Sequence, residues 1–397
     1  MSNDLKAVED LLDPVARERI ALAVEKIAAA KERGGKVVVV TGSGPNVHEG
    51  VTTLVAELMR VGVVDGVTTS SAVIAHEMGG VLDRVKRVDG LALGINKSLL
   101  PHGATFELTL LREDRIAEIN EMMPVDRELI AQIKKMPGDT IIKAAGNLGY
   151  PMGLYLERIA AETLAFARMR GGPFEETAGL GADPRTMMGI GALLNLPVLV
   201  TIPQLIGGGA VGLAIGDSVS ITERAARLAR MLESADVIIE SAVALTQEIH
   251  DGPLERYTGH GLWAAWQGLP TYSLEGKTLV RIDLDPALEH VWQAQQSNRA
   301  VQEAVDKGLP KTKLFNVPFR MEMSGFARLE GSIPITGDIG AVWPVLAHQL
   351  AQRLGIELDF MSYPQQSLPG QAMREWIVAN IAPLSRRRMI EAAKSPL

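Results

Sequence analysis

Lys36-Val37-Val38-Val39-Val40-Thr41 runs directly into Gly42-Ser43-Gly44-Pro45-Asn46. Four valines in a row leave no face for water, so the segment reads as a strand covered on both sides, as in a parallel sheet. After the glycine turn an apolar-periodic helix is expected from Glu49 to Val61. Upstream, Val8, Leu11, Leu12, Val15, Ile20, Val24 and Ile27 recur at helical spacing over 7–33, until Gly34-Gly35 stops the run. Downstream, Asp65–Thr69 reads as a second short strand, Ser70-Ser71 as a loop and the following residues as another helix. A strand-loop-helix order repeated in this way specifies an α/β fold with a doubly wound, mostly parallel sheet.

The alternation returns further along. Thr140–Ala144, Leu196–Ile202, Asp236–Ser241 and Thr278–Leu284 are expected strands of the same sheet, and Gly153–Arg168 and Ile221–Glu233 expected helices. Residues 86–139 are the least sheet-like stretch and are expected to form an insertion or lid. The chain divides into an N-terminal helical segment (1–35), an α/β domain (36–355) and a C-terminal extension (356–397). The extension carries Arg386-Arg387-Arg388, read as a solvated terminal helix, with a partner-binding arm as the alternative. Thr186–Gly216 holds no charged residue, but Pro197, Pro203 and Gly207-Gly208-Gly209 would leave backbone groups unsatisfied in lipid, so it is not read as a membrane span.

Composition excludes several classes. The 397 residues are 47% hydrophobic and 22% charged, which suits a globular chain. Asp and Glu number 47 against 40 Lys and Arg, a net charge of −7 that argues against nucleic-acid binding. With no cysteine there is no disulfide, thiolate metal site or cysteine nucleophile. The polar start MSNDLKAVEDLLDP has no apolar signal core, so a cytoplasmic location is expected.

Four stretches could carry chemistry. Gly42, Ser43, Gly44 and Asn46 form a turn whose backbone N–H groups could cradle a phosphate. It lacks the Lys of a P-loop and the third glycine of GxGxxG, so a plain tight turn stays open. Thr68, Thr69 and Ser70 place hydroxyls at a strand end, with His76 and Glu77 a helical turn later. HExxG is not a zincin motif, and the alternative is a capped helix with Glu77 in water. Residues 245–261 gather Glu248, His250 and Asp251, with Trp263 and Trp266 close behind, a set suited to a cationic amine or to a polar surface loop. Asp283 could bond a ribose, while Asp285-Pro286 suits a helix start.

The order of these motifs resembles the deoxyhypusine synthase family: Thr41–Asn46, then Val64–Ser71 with Glu77, then Thr246–Gly252, then Asp283. It is also similar to the NAD-dependent ornithine cyclodeaminases of archaea and cyanobacteria. There Gly44–Gly50, Ser70–Glu77, Asp283–Pro286 and Gly337-Asp338-Ile339-Gly340 are the counterparts. Together the motifs cover residues 36–355. The resemblance implies a deoxyhypusine synthase-like, Rossmann-type fold and a cytoplasmic homotetramer with NAD held by Gly42, Ser43, Gly44, Asn46, Thr68, Thr69, Ser70, Asp283 and Asp338. It further implies a small amine or amino acid as substrate, oxidised transiently to an imine with loss or exchange of nitrogen. Catalytic candidates are His76, Glu77, Lys143, His250 and Asp251. Glu248 and Trp263 are the candidates for holding substrate, and Lys143 is preferred to Lys97 should a covalent imine form. Deoxyhypusine synthases carry a lysine just after a triple-glycine turn. Gly207–Gly212 here has none, which argues against butylamine transfer to a protein. An NAD(P) dehydrogenase with net hydride transfer and a non-catalytic nucleotide-binding protein are the alternatives.

Overall fold

The computed structural model describes residues 3–42, 44–146, 148–201, 208–241, 249, 252–257, 259–285, 303, 307–309 and 331–394. The expected N-terminal helix is two helices, Asn3–Asp10 and Pro14–Glu32. Asp13 separates them because its carboxylate accepts from Ala16 N, an N-cap, and Pro14 then occupies the first helical turn.

Nine strands follow among the described residues: β1 Lys36–Thr41, β2 Gly66–Thr69, β3 Leu82–Asp89, β4 Thr105–Thr109, β5 Thr140–Ala144, β6 Val198–Val200, β7 Ala235–Ser241, β8 Thr278–Asp283 and β9 Ser332–Thr336. Six of them form one parallel sheet in the order β6-β2-β1-β7-β8-β9. Renumbered within that sheet the order is 3-2-1-4-5-6, the Rossmann arrangement of a doubly wound fold. Alternation along β1 feeds both faces. Val37 and Val39 join the core that contains helices Pro14–Glu32 and Val51–Arg60, and Val38 and Val40 join the core under helix Ile221–Glu233.

Two expectations are corrected here. Thr140–Ala144 is a strand, but it pairs antiparallel with β3 in a separate sheet of order β4-β3-β5. Its TIIKA sequence cannot distinguish the two sheets, since one face of β5 is only half-buried. The stretch 86–139, read as poor in strands, holds the second half of β3 and all of β4 as well as helices Glu113–Met122 and Arg127–Lys135. Strand β3 (LDRVKRVD) has its apolar residues diluted by charge, and this hid it. Strand β9 went unread because proline interrupts SIPIT.

Two ion pairs are buried in the large sheet. Glu240 and Arg281 are register partners on β7 and β8, fully buried, with Nε 2.6 Å from Oε2. At the β6 edge, Glu175 accepts from Val200 N at 2.7 Å and pairs with Arg224, which donates to Val200 O at 3.1 Å. The basic tail forms helix Arg386–Ala393, tied down by Arg386–Glu162. Among the described residues, no helix is long and apolar enough to cross a membrane.

Candidate active site

The sheet's strand order fixes where a crevice must open. β1 and β7 are neighbours, but the chain leaves β1 toward β2 and leaves β7 toward β8, so the connections diverge above their carboxyl ends. Gly44 lies there with φ +65°, ψ −112°, a conformation that favours glycine, and a Cβ placed on it would meet no atom of the described residues within 4 Å. The turn is therefore open. Asn46 does something else: it is buried and ties the diverging strands together. Its Nδ2 donates to the Ser241 carbonyl at 3.3 Å and its Oδ1 accepts from Ser241 Oγ, which also accepts from Trp343 Nε1 at 2.9 Å. At Gly50 (φ +71°) a Cβ would stand 2.5 Å from Met373 Sδ, so this glycine lets helix Leu368–Asn380 close against the loop.

The hydroxyls at the carboxyl end of β2 and just beyond it, Thr68 to Ser71, are all buried. Thr68 Oγ1 bonds Thr201 Oγ1, and Ser70 Oγ caps helix Ser71–Met78 by accepting from Val73 N at 3.3 Å. Thr69 Oγ1 has no partner among the described residues, so it remains free for a ligand oxygen. Asp283 Oδ1 accepts from Asp285 N, and Asp338 Oδ1 from Gly340 N, both at 2.9 Å; the second contact caps helix Ile339–Leu354.

Beside the crevice four basic groups converge. His76 Nδ1 is 2.9 Å from the Ala145 carbonyl. A carbonyl only accepts, so Nδ1 carries the hydrogen and the neutral ring presents Nε2 as a base. Burial, then the charge of Lys143, holds the His76 pKa below the usual histidine value, against the pull of the Ala145 bond. His48, which ends helix Pro45–His48, has its Nδ1 3.4 Å from Arg374 Nη2. Its pKa is lowered by burial first, then by Arg374, His76 and Lys143. Lys143 Nζ sits 2.7 Å from Glu107 Oε2, so a bond from substrate carbon to Nζ would require giving up that contact. Lys97 is exposed in a short 3₁₀ turn after β3. His48 and Arg374 were missed as functional residues. His48 lies inside the Gly44–Gly50 motif and could have been found, but Arg374 comes from the C-terminal extension, where no local pattern marks it.

Glu77 neither faces water nor is free to hold an ammonium. Its two oxygens accept from Met187 N at 2.8 Å and Met188 N at 3.0 Å, capping helix Met187–Leu194. Burial pushes its pKa up to about 7 against those two bonds. A carboxyl raised in the folded state contributes stability that is present below its unfolded value and lost as pH rises through the folded one. Glu77→Gln loses one N–H acceptor, about 1 kcal/mol, but no longer titrates. The variant's deficit is therefore largest at pH 5 and narrows toward pH 8, as read by urea unfolding at the two pH values.

Ser43, Glu248, His250 and Asp251 lie outside the described residues. Trp263 is described and exposed. Its helix, Leu262–Trp266, packs through Ala264 on the core of Val38 and Val40, whereas Val73, Ile74 and Met78 of the His76 helix join the core of Val37 and Val39. The two helices thus pack on opposite faces of the sheet. Among the described residues no cluster of His, Asp and Glu could hold a metal ion.

No protein-family model and no curated protein matches the sequence. Solved structures do. The apo arginine dihydrolase ArgZ, from the ornithine–ammonia cycle in cyanobacteria, matches over 86% of this chain and 32% of its own, at 13% identity and TM-score 0.42. A LOR/SDH protein from Methanococcus maripaludis S2 matches over 87% and 71%, at 13% identity and TM-score 0.43. AgrE, solved as a ternary complex with ornithine and NAD+, matches over 84% and 33%, at 14% identity and TM-score 0.40. This chain thus spans about a third of the length of ArgZ and of AgrE.

Proposed function

We propose that this chain is an NAD-dependent enzyme acting on a small amine or amino acid by transient oxidation at the carbon bearing nitrogen, with loss or exchange of that nitrogen. The observation that carries the reading is the 3-2-1-4-5-6 parallel sheet with Gly44 open at its switch point. The residues fit NAD: Gly44 leaves room for backbone to approach a pyrophosphate, and the unpartnered Thr69 hydroxyl suits a ribose oxygen. When bound, NAD supplies a hydride acceptor that can give the hydride back. His76 Nε2 takes the proton from the substrate ammonium. The charges of Arg374 and Lys143 favour a substrate that also bears an anionic group, so an amino acid fits better than a polyamine. The homotetramer belongs to the same proposal; light scattering showing a monomer removes it.

The test is a melting curve with and without NAD. A ligand at ~100 times its Kd adds about 2.7 kcal/mol to the folded state, so the wild type melts higher with NAD. Gly44→Val fills the open turn at a strain cost of about 1–2 kcal/mol and abolishes the NAD shift. A wild type that melts at the same temperature with saturating NAD overturns the cofactor.

A further inference from the structure

Helix Ser71–Met78 spans about 12 Å. Its Ser70 end sits at the sheet rim, while at its other end Gly79 lines a cavity of about 670 Å³ between the small sheet and the C-terminal segment. The inner wall holds Asp83 and Thr109, both almost fully buried, and the walls include Leu82, Leu111 and Ile381. Most charges lining the cavity are already matched: Arg84 with Glu375, Arg112 with Asp114, Arg115 with Glu118, and Asp183 with Arg185. Three groups are not. Thr109 Oγ1 is buried with no partner among the described residues. The Asp83 carboxyl accepts one bond, from Gly146 N at 2.8 Å. Arg388, exposed at the mouth, has no carboxylate partner among the described residues. A buried hydroxyl and carboxyl left short of partners cost free energy that a ligand donor recovers.

We propose that this cavity is a second small-molecule site, for an amino-acid-type zwitterion that sets its ammonium against Asp83 and Thr109 and its carboxylate toward Arg388. Apolar walls between the two ends suit a short methylene chain. Burial pushes the Asp83 pKa up to about 7, opposed by the Gly146 bond and the Lys143 charge. An ammonium beside Asp83 favours its ionised form, so binding releases a proton and weakens as pH falls below 7. The proposal is independent of the NAD reading.

The probe is 6-aminohexanoate, titrated calorimetrically into the full chain beside hexylamine and hexanoate, which each lack one end. A charge-assisted bond is worth about 1.5–3 kcal/mol, so each truncated probe binds at least ~10-fold more weakly. Arg388→Gln, at an exposed position, costs a similar factor, and so does Thr109→Val. Saturating NAD leaves the affinity unchanged, which separates this cavity from the crevice. Affinity is lower at pH 5.5 than at pH 8. The proposal is overturned by absence of saturable binding, by hexanoate binding as well as 6-aminohexanoate, or by Arg388→Gln leaving the affinity intact.

Discussion

Replacing His76 with alanine lowers turnover ~10²–10⁴-fold, the usual scale for loss of a general acid or base, while NAD still raises the melting temperature. Turnover is read as ammonia release from the amino acid that supports it in an NAD-dependent screen. The folded state loses one hydrogen bond, His76 to the Ala145 carbonyl, at about 1 kcal/mol. Binding and chemistry therefore separate. The wild-type rate also falls on the acid side as His76 gains its proton. Because burial holds the His76 pKa down, that fall comes at lower pH than for a free histidine. Full activity in His76→Ala, or an acid limb unchanged in a weakly active variant, removes this histidine from the reaction.

Arg281→Met is expected to cost about 3–5 kcal/mol, because it leaves Glu240 buried without its charge partner. Removing both charges in Glu240→Leu/Arg281→Met recovers most of that loss, since the net worth of a buried pair is small. The pH dependence follows from the sign of the Glu240 shift. Burial pushes its carboxyl up to about 7 with Arg281 opposing, and without Arg281 it rises further. A raised carboxyl destabilises the fold only where it is forced to ionise, so the variant's deficit is smaller at pH 5 than at pH 8. Urea unfolding at both pH values measures it. A deficit below 1 kcal/mol, or one indifferent to pH, shows that the sheet tolerates either charge alone.

The large sheet was legible because its central strands are buried on both faces. KVVVVT carries a continuous apolar run that hydropathy alone finds, and TLVRID keeps Leu279, Val280 and Ile282 around the buried Arg281. The small sheet was not, because β3 is half-solvated and its alternation is broken by Asp83, Arg84, Lys86 and Arg87. At the candidate site, local signals marked the glycine turn and His76 as candidates. They misjudged Glu77, whose partners Met187 and Met188 lie more than a hundred residues away. Arg374 was beyond reach for the same reason: it meets His48 and the Ile142 carbonyl only through the tertiary fold. Asn46 shows the opposite error, a polar residue in a ligand-like turn whose amide is occupied by Ser241.

Strand β6 ends the sheet with three residues, although Leu196 and Pro197 precede it and Thr201 continues it. An outermost strand normally displays a row of unpaired N–H and C=O groups on which another chain can build. Here Val200 turns both groups outward, and Glu175 and Arg224 occupy them with side-chain oxygen and nitrogen. The ion pair thus takes the positions that the next strand's backbone would need. At Val200 the outer border of the sheet is thus held by an ion pair rather than by backbone, and a further strand could pair there only by displacing it.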